Sequence, residues 1–478
     1  MNCSESQRRD SNPRPSDYKS EALPAMLRWR NLGQTGRGHE CVGRTISSAL
    51  IAEHMAGETL LNAHALRKHG NDAIFSWFAR YQKAHDSGID AVNATVGSLL
   101  EEDGSLATNS AVVESVRNCP PVEFSAYAPL RGIPRFLDLS KSLALGEARR
   151  TLEDAGIAIG SIATPGGSGA LYLTAANLVE RGHSVLLRDR HWAPYDGFLS
   201  GSDLSIETWP LLPSGDSQYP YFDLTSFEEK ISSLKMKQDK IMIWLNDPAH
   251  NPTGLSLTAE GRIALLDSMI TSALADPEIG HTLVIDAAYS LYADDAYGWA
   301  DSIVEVFDNG SPWPENLLLC FAVSFSKSHT IYGMRNGVLI SLHPEQEVID
   351  RLQNVFGVTG RSTWSAAPRI GQYCLTDLHS SPEQGAAWAT ECERLKKILD
   401  NRRITLLANC EAEGVILNPA HDGFFAWFEC DQPEIVAEHC AKQDVFVVPL
   451  EGGIRIGLCS MPLTGCERVA KALASAPR

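Results

Sequence analysis

The chain has 478 residues, a hydrophobic fraction of 44% and a formal net charge of -18. That length exceeds what one hydrophobic core supports, so two lobes are expected, and acidity spread along the chain disfavours nucleic acid and anionic membrane as partners. No apolar run is long enough to span a bilayer, no apolar signal core opens the sequence, and the eleven cysteines are scattered without CxxC pairs or zinc-type His spacing, which predicts a cytoplasmic protein with reduced thiols and no metal.

In chain order, residues 1–45 are rich in Arg, Ser and Pro without a sustained period and are expected to be a disordered extension. From Ala49 to about Lys83 apolar residues recur at helical spacing, which predicts an N-terminal helical arm. Residues 46–123 are assigned to this arm and to part of a small domain. Over 124–345, β-branched runs such as SVLLRD, KIMIWLND, HTLVIDAAY and NGVLISLH alternate with helix-like stretches such as ALYLTAANLVERG and LTAEGRIALLDSMI. This alternation predicts a large α/β domain with a mainly parallel sheet covered by helices and a site at the carboxyl ends of its strands. Residues 346–478 read as a linking helix and a smaller α+β domain, with strand-like FFAWFEC, VFVVPL and GIRIGLC.

Four segments within this frame carry chemistry. Thr164-Pro-Gly-Gly-Ser-Gly-Ala-Leu171 opens a helix expected to run to Gly182. Free N–H groups and the helix dipole there favour an anion, Gly167 lets the backbone approach it, and Ser168 adds a hydroxyl. The spacing is neither a P-loop nor GxGxxG, and alone it says little. Asn251-Pro-Thr-Gly254 follows the strand-like IMIWLND and reads as a turn that is compatible with Asn251 donating to a ligand oxygen. Asp286-Ala-Ala-Tyr289 places a carboxylate at the end of the run HTLVI, where it either caps the next element or pairs with a cationic ligand atom. Finally, Ser324-Phe-Ser-Lys327 follows the apolar run LLLCFAV, and Arg335 lies eight residues beyond Lys327. Lys327 is either a lysine in a polar loop or a buried amine that loses its proton and becomes a nucleophile toward carbonyls. Ser324 and Arg335 are placed to hold a phosphate.

Taken in order, these segments resemble fold-type I pyridoxal-phosphate enzymes, specifically the class I aspartate and aromatic aminotransferase family, from roughly Asp90 to the C-terminus. The resemblance implies a large domain with a seven-stranded-type sheet sandwiched by helices, and pyridoxal 5'-phosphate as cofactor. It implies that Lys327 binds this cofactor as a Schiff base and then serves as general base and acid. It also implies that Asp286 pairs with the ring nitrogen, that Tyr289 and Asn251 bond the ring's phenolic oxygen, and that Trp192 in DRHWAPYDG stacks on the ring. Gly167, Ser168, Ser324 and Arg335 would hold the phosphate, joined by Tyr127 from the neighbouring subunit of a homodimer.

For substrate, Arg455 matches the arginine that forks onto the α-carboxylate, a task lysine performs poorly. Gly97 in NATVG leaves space beside it, and Arg361 matches the arginine that reaches a distal carboxylate from the partner subunit. Three positions depart from the pattern. Tyr195 stands where many members carry histidine, so the surroundings of Asp286 should differ. Gly166 replaces a hydroxyl residue of the phosphate loop, leaving Gly167 and Ser168 to do more. Phe424 and Phe425 lie where the family contacts the substrate side chain, so they favour aromatic donors or else belong to the core. The expected reaction is ping-pong transfer of an amino group between an L-amino acid, aspartate or aromatic, and a 2-oxo acid, with 2-oxoglutarate the expected acceptor. The alternatives are a lyase or cyclising synthase on the same scaffold, or a sensor that binds the cofactor without turnover.

Overall fold

The computed structural model describes residues 60–66, 72–215 and 217–477. The chain divides into two compact units, Met1–His69 and Gly70–Arg478. In the first, the helix Ala63–Leu66 is described. The expected extension over 1–45 and the start of the expected arm at Ala49 lie outside the described residues. In the second unit, the arm's sequence forms a helix over Ala73–Asp86, opened by Asp72, whose side chain accepts from the N–H groups of Ile74 and Phe75 and so satisfies donors that the first turn leaves free.

The strands of the second unit are β1 (Val92–Asn93), β2 (Ala158–Pro165), β3 (Ser184–Arg188), β4 (Ser205–Trp209), β5 (Lys240–Asn246), β6 (Gly280–Asp286), β7 (Leu317–Ser324), β8 (Asn336–His343), β9 (Phe425–Glu429), β10 (Val445–Phe446), β11 (Val448–Leu450) and β12 (Gly453–Gly457). Seven of them form one sheet in the order β2-β8-β7-β6-β5-β3-β4. Its pairs are parallel except those of β8, which runs antiparallel to both β2 and β7. The expected mainly parallel, seven-stranded sheet is therefore present.

The strands read as continuous apolar runs because both faces of the sheet are covered. In β5, Ile241, Ile243 and Leu245 pack into one buried cluster while Met242 and Trp244 pack into another. In β7, Leu319, Phe321 and Val323 alternate in the same way with Leu318, Cys320 and Ala322, as the period of two requires. Helices Gly166–Asn177 and Ala259–Ala275 carry many buried residues. The first ends at Asn177, short of Gly182, because the Asn177 side chain bonds the Leu173 carbonyl and accepts from Thr359, which competes with continuation of the helix.

The remaining strands form the antiparallel sheet β11-β12-β9 and the parallel pair β1-β10. A third buried cluster joins them. It combines Trp77, Val92 and Leu99 with Leu395, Leu399, Phe424, Ile454 and Ile456, and draws on the 31-residue helix Pro382–Ala412. No described helix is long and apolar enough to cross a membrane.

Candidate active site

Parallel strands β5, β6 and β7 end at Asn246, Asp286 and Ser324, so their carboxyl ends present three polar residues along one edge. Because β8 is antiparallel, its amino end at Asn336 lies on that same edge, paired with Pro165 at the end of β2. Arg335 and the helix start at Gly166 therefore join them. The edge bounds a cleft of about 600 Å³ lined by residues that include Gly167, Ser168, Trp192, Asn251, Asp286, Tyr289, Ser324, Lys327 and Arg335. Four segments spread over more than 150 residues thus converge by topology alone.

The carboxylate of Asp286 is buried and fully engaged. Tyr195 donates to its Oδ2 at 2.6 Å, and the Ala288 N–H donates to Oδ1 at 3.2 Å. Burial raises its pKa above the usual carboxylate range, while the Tyr195 hydrogen bond and the charge of Lys327 pull it back. Burial likewise holds the Tyr195 phenol well above its ordinary value, with the Asp286 charge adding to the effect, so Tyr195 stays a neutral donor. The departure noted at Tyr195 therefore has a structural counterpart: the position contacts Asp286 through a phenol, not an imidazole.

Asn251 donates to the Tyr289 hydroxyl at 3.4 Å. Asn246, which the sequence reading passed over as the end of a strand, fixes two members at once. Its amide donates to the Asp286 carbonyl at 2.9 Å and its Oδ1 accepts from the Asn251 N–H at 2.6 Å. The signal was present: Asn246 is a polar residue at the buried end of β5, in register with Asp286.

Lys327 lies in the short helix Phe325–Ser328 directly after β7. Its Nζ sits 5.2 Å from the Tyr289 ring centroid. Burial lowers its pKa from 10.5 to about 8, with Asp286 opposing the shift and Arg335 reinforcing it. At neutral pH its uncharged, nucleophilic fraction is far larger than that of a surface lysine. In the cofactor-free protein, acetylation of Lys327 followed by mass spectrometry should rise about tenfold per pH unit and level off near pH 8. A rate still climbing near pH 10 would show an ordinary lysine.

The anion pocket is built from backbone. Helix Gly166–Asn177 has no side-chain cap on its first turn, leaving N–H groups to face the cleft. Arg335, in the left-handed region at φ 53°, donates through Nη1 to Ser326 Oγ at 3.2 Å and to the Tyr332 carbonyl at 3.1 Å. Gly166, at φ +74°, explains why the loop lacks a hydroxyl there: a Cβ would lie 2.5 Å from Arg335 Nη2. A Cβ on Gly337 would meet the Gly166 carbonyl carbon at 2.3 Å. Gly166→Ala should displace Arg335 and weaken retention of a phosphorylated ligand by about tenfold, roughly one charge-assisted hydrogen bond. Equilibrium dialysis against pyridoxal phosphate measures this, and unchanged affinity would refute the arrangement.

The donor set fits pyridoxal phosphate. Ser168, Ser324, Arg335 and the helix amino end suit a phosphate, Asp286 suits a protonated ring nitrogen, and Asn251 with Tyr289 suits an oxyanion. Trp192 offers an aromatic face, and Lys327 offers an amine for the aldehyde.

The residues expected to take substrate cluster beside this cleft. Arg455 is buried in β12, its Nη2 donates to the Thr95 carbonyl, and its guanidinium lies 4.6 Å from the Phe425 ring centroid. A Cβ on Gly97 would come within 3.4 Å of Phe425 Cζ. Phe425 also contacts Tyr289 edge-on at 5.9 Å, which links this group to the cleft wall. Phe424 instead packs between Tyr289 and Tyr292 in the core. Trp364 packs against Tyr172, with Gly360 close by.

Two expected residues belong neither to the lining of this chain's cleft nor to the group beside it. Tyr127 is 88% exposed. Arg361, exposed on helix Gln346–Thr363, donates to Ser365.

A family model described as aminotransferase class I and II matches residues 96–473. The aromatic-amino-acid aminotransferase of Escherichia coli is 25% identical over 337 residues, covering 69% of this chain and 78% of that protein. Among solved structures, an aminotransferase from Anaerococcus prevotii superposes with a TM-score of 0.80 at 24% identity, covering 87% of this chain and 98% of its own. The cytoplasmic aspartate aminotransferase of Saccharomyces cerevisiae superposes with a TM-score of 0.71 at 20% identity, covering 85% and 96%.

Proposed function

The chain belongs to the aminotransferase class I and II family and is a pyridoxal-phosphate-dependent transaminase; from that premise we propose that its amino donors are aspartate and aromatic L-amino acids and its acceptor is 2-oxoglutarate. The observation that carries the reading is the cleft itself, where a partly deprotonated Lys327 lies with Asp286 and Tyr289, next to the contacting group Arg455, Gly97 and Phe425. The relatives it matches are named as aminotransferases, which favours transamination over elimination, cyclisation or a sensing role.

When bound, pyridoxal phosphate supplies an electron sink for the carbanion left by loss of the substrate's α-proton. Lys327 Nζ would hold that proton and pass it across the intervening nitrogen, two atoms on from Cα, a task suited to an amine with a pKa near 8,. Asp286, held by Tyr195 and the Ala288 N–H, keeps negative charge at the ring nitrogen. Asn251 and Tyr289 orient the ring oxygen, and Ser168, Ser324 and Arg335 anchor the phosphate. Arg455, steadied by Thr95 and Phe425, forks onto the substrate α-carboxylate and sets which face of Cα meets Lys327.

The donor range follows from two features. Phe425 sets an aromatic ring beside Arg455 and Gly97, and Arg361 gives a cation for a distal carboxylate. Because Arg361 and Tyr127 are exposed on this chain, we assign both to the partner's cleft in a homodimer. The exposure of Val122, Phe124, Leu130 and Val358 around the same segments supports a buried contact there. We draw the large domain at 124–345, the helical arm with part of the small domain at 46–123, and the linking helix with the rest of the small domain at 346–478; pairing of Val92 with Val445 supports joining the two parts of the small domain. The nine described cysteines are free thiols, which supports a cytoplasmic location.

The test is the absorbance spectrum of the purified protein before and after glutamate, aspartate or phenylalanine in separate cuvettes. Visible absorption of the lysine-bound cofactor should bleach with at least aspartate and phenylalanine. Bleaching by neither, with a third amino acid active, would overturn the donor assignment and leave the chemistry standing.

A further inference from the structure

We infer that Arg402, on the long helix Pro382–Ala412 and outside the cleft, is a positioning residue for substrate carboxylate binding: it locks the segment 93–100 to the end of β12 so that Arg455 and Gly97 keep their mutual geometry. The inference rests on the assignment of Arg455 to the α-carboxylate.

Arg402 is completely buried, which is costly for a cation unless its donors are met. A guanidinium has five N–H groups in a rigid fork, and here all five are used. Nε and Nη2 donate to Glu102 Oε1 at 2.9 and 2.7 Å, Nη2 also donates to the Leu100 carbonyl at 2.9 Å, and Nη1 donates to the carbonyls of Leu458 and Cys459 at 3.2 and 3.0 Å. One side chain therefore holds both the segment that carries Gly97 and the residues that follow β12.

Those segments are laced to each other. The Gly457 N–H donates to the Ala94 carbonyl at 2.8 Å, Arg455 donates to the Thr95 carbonyl, Cys459 Sγ donates to the Val96 carbonyl at 3.1 Å, and the Leu100 N–H donates to the Cys459 carbonyl at 2.8 Å. Glu102 adds a further tie through its Oε2, which accepts from the Leu463 N–H at 2.7 Å. Because Arg455 is aimed by its bond to Thr95, any slip of 93–100 re-aims the fork, and a bidentate carboxylate contact tolerates little misalignment. The α-carboxylate is common to amino acid and 2-oxo acid, so both substrates should feel the change alike. The cofactor pocket, built on β5 to β8, should not.

Two variants test this. Arg402→Lys keeps the charge but offers a compact ammonium with three donors, which cannot span the four acceptors of these five bonds,. Glu102→Ala removes two of the five contacts at a half-exposed side chain, so a poorly folding Arg402→Lys leaves the test intact.

The expected result for Arg402→Lys is a rise of about tenfold in KM for both the amino donor and 2-oxoglutarate, with kcat within about threefold. Binding of 2-oxoglutarate to the pyridoxal-loaded protein, which does not react, should weaken by the same factor. Amide exchange should speed up in 93–100 and stay unchanged in 324–335. Glu102→Ala should show the same pattern at a smaller size. A lower unfolding midpoint with both KM values and exchange in 93–100 unchanged would overturn the inference, as would a fall in kcat alone. Arg455→Lys separates the two assignments. If it leaves both KM values unchanged, the carboxylate role of Arg455 fails; if it raises them while the other variants do not, that role stands and the Arg402 inference fails.

Discussion

Lys327→Ala should lower turnover at least about a thousandfold, because a positioned general acid and base contributes on the order of 10² to 10⁴ and this residue serves both steps. No other lysine and no histidine is among the residues lining the cleft, so no neighbour takes over. Asp286 is engaged by Tyr195 and the Ala288 N–H, and burial holds the Tyr289 phenol far above neutrality; neither exchanges a proton readily at working pH. The variant should still bind pyridoxal phosphate through the Ser168, Ser324 and Arg335 side, but borohydride reduction should no longer attach the cofactor to the chain, which mass spectrometry reads directly. Turnover within tenfold of the parent would sink the assignment of Lys327. The same variant probes the dimer. Mixed with Arg361→Ala chains, it should recover activity toward aspartate, since one cleft of the mixed dimer then pairs an intact Lys327 with Arg361 of the partner subunit. No recovery would place Arg361 outside the site.

The legibility of this site in the sequence follows from where each residue's constraint originates. Asp286 ends β6, while Lys327 and Asn251 follow the ends of β7 and β5 closely, and the apolar strand pattern marks that edge of a parallel sheet. The glycine loop said little by itself, and the reason for glycine at 166 and 337 appears only in the fold, where a Cβ would meet Arg335 or the backbone. Asn246 was missed because its role is set by register, being beside Asp286 only once β5 and β6 pair. Arg402 was missed for a stronger reason. In sequence it is one of two adjacent arginines, and its place on the apolar stripe of Leu395, Leu399, Leu406 and Cys410 marks burial but no partner, because its partners lie some 300 positions earlier and 56 later. Tyr195 falls between these cases: the Trp192 motif marked its position, but only the fold shows its hydroxyl reaching Asp286. The lost end of the glycine-loop helix has a local cause that spacing does not reveal, the Asn177 side chain bonded across to Thr359.

Asp286→Asn should reduce kcat by about 10² to 10³ while leaving KM for the amino donor within a few fold. The magnitude is that of removing one preorganised charge aimed at a group whose electron demand rises in the transition state. Asparagine preserves the volume at the end of β6, and the backbone carbonyl that accepts from Asn246 is untouched, so the fold has no reason to respond. The side-chain carboxylate is what changes. Burial raises its pKa, and the Tyr195 hydrogen bond first and the Lys327 charge second oppose that rise. The sign of the pH dependence follows. The carboxylate works only above its pKa, so loss of activity toward acid marks its protonation. Tyr195→Phe, which removes the leading opposing contribution, should move that acid limb to higher pH and lower kcat less than Asp286→Asn does. Substrate carboxylate binding through Arg455 lies on β12, a separate sheet, which is why KM should stay nearly constant in both variants. If Asp286→Asn instead raises KM and spares kcat, Asp286 orders the cleft without acting on the cofactor ring. If Tyr195→Phe shifts the acid limb to lower pH, the hydrogen bond favours the protonated carboxyl and the roles drawn for this pair are reversed.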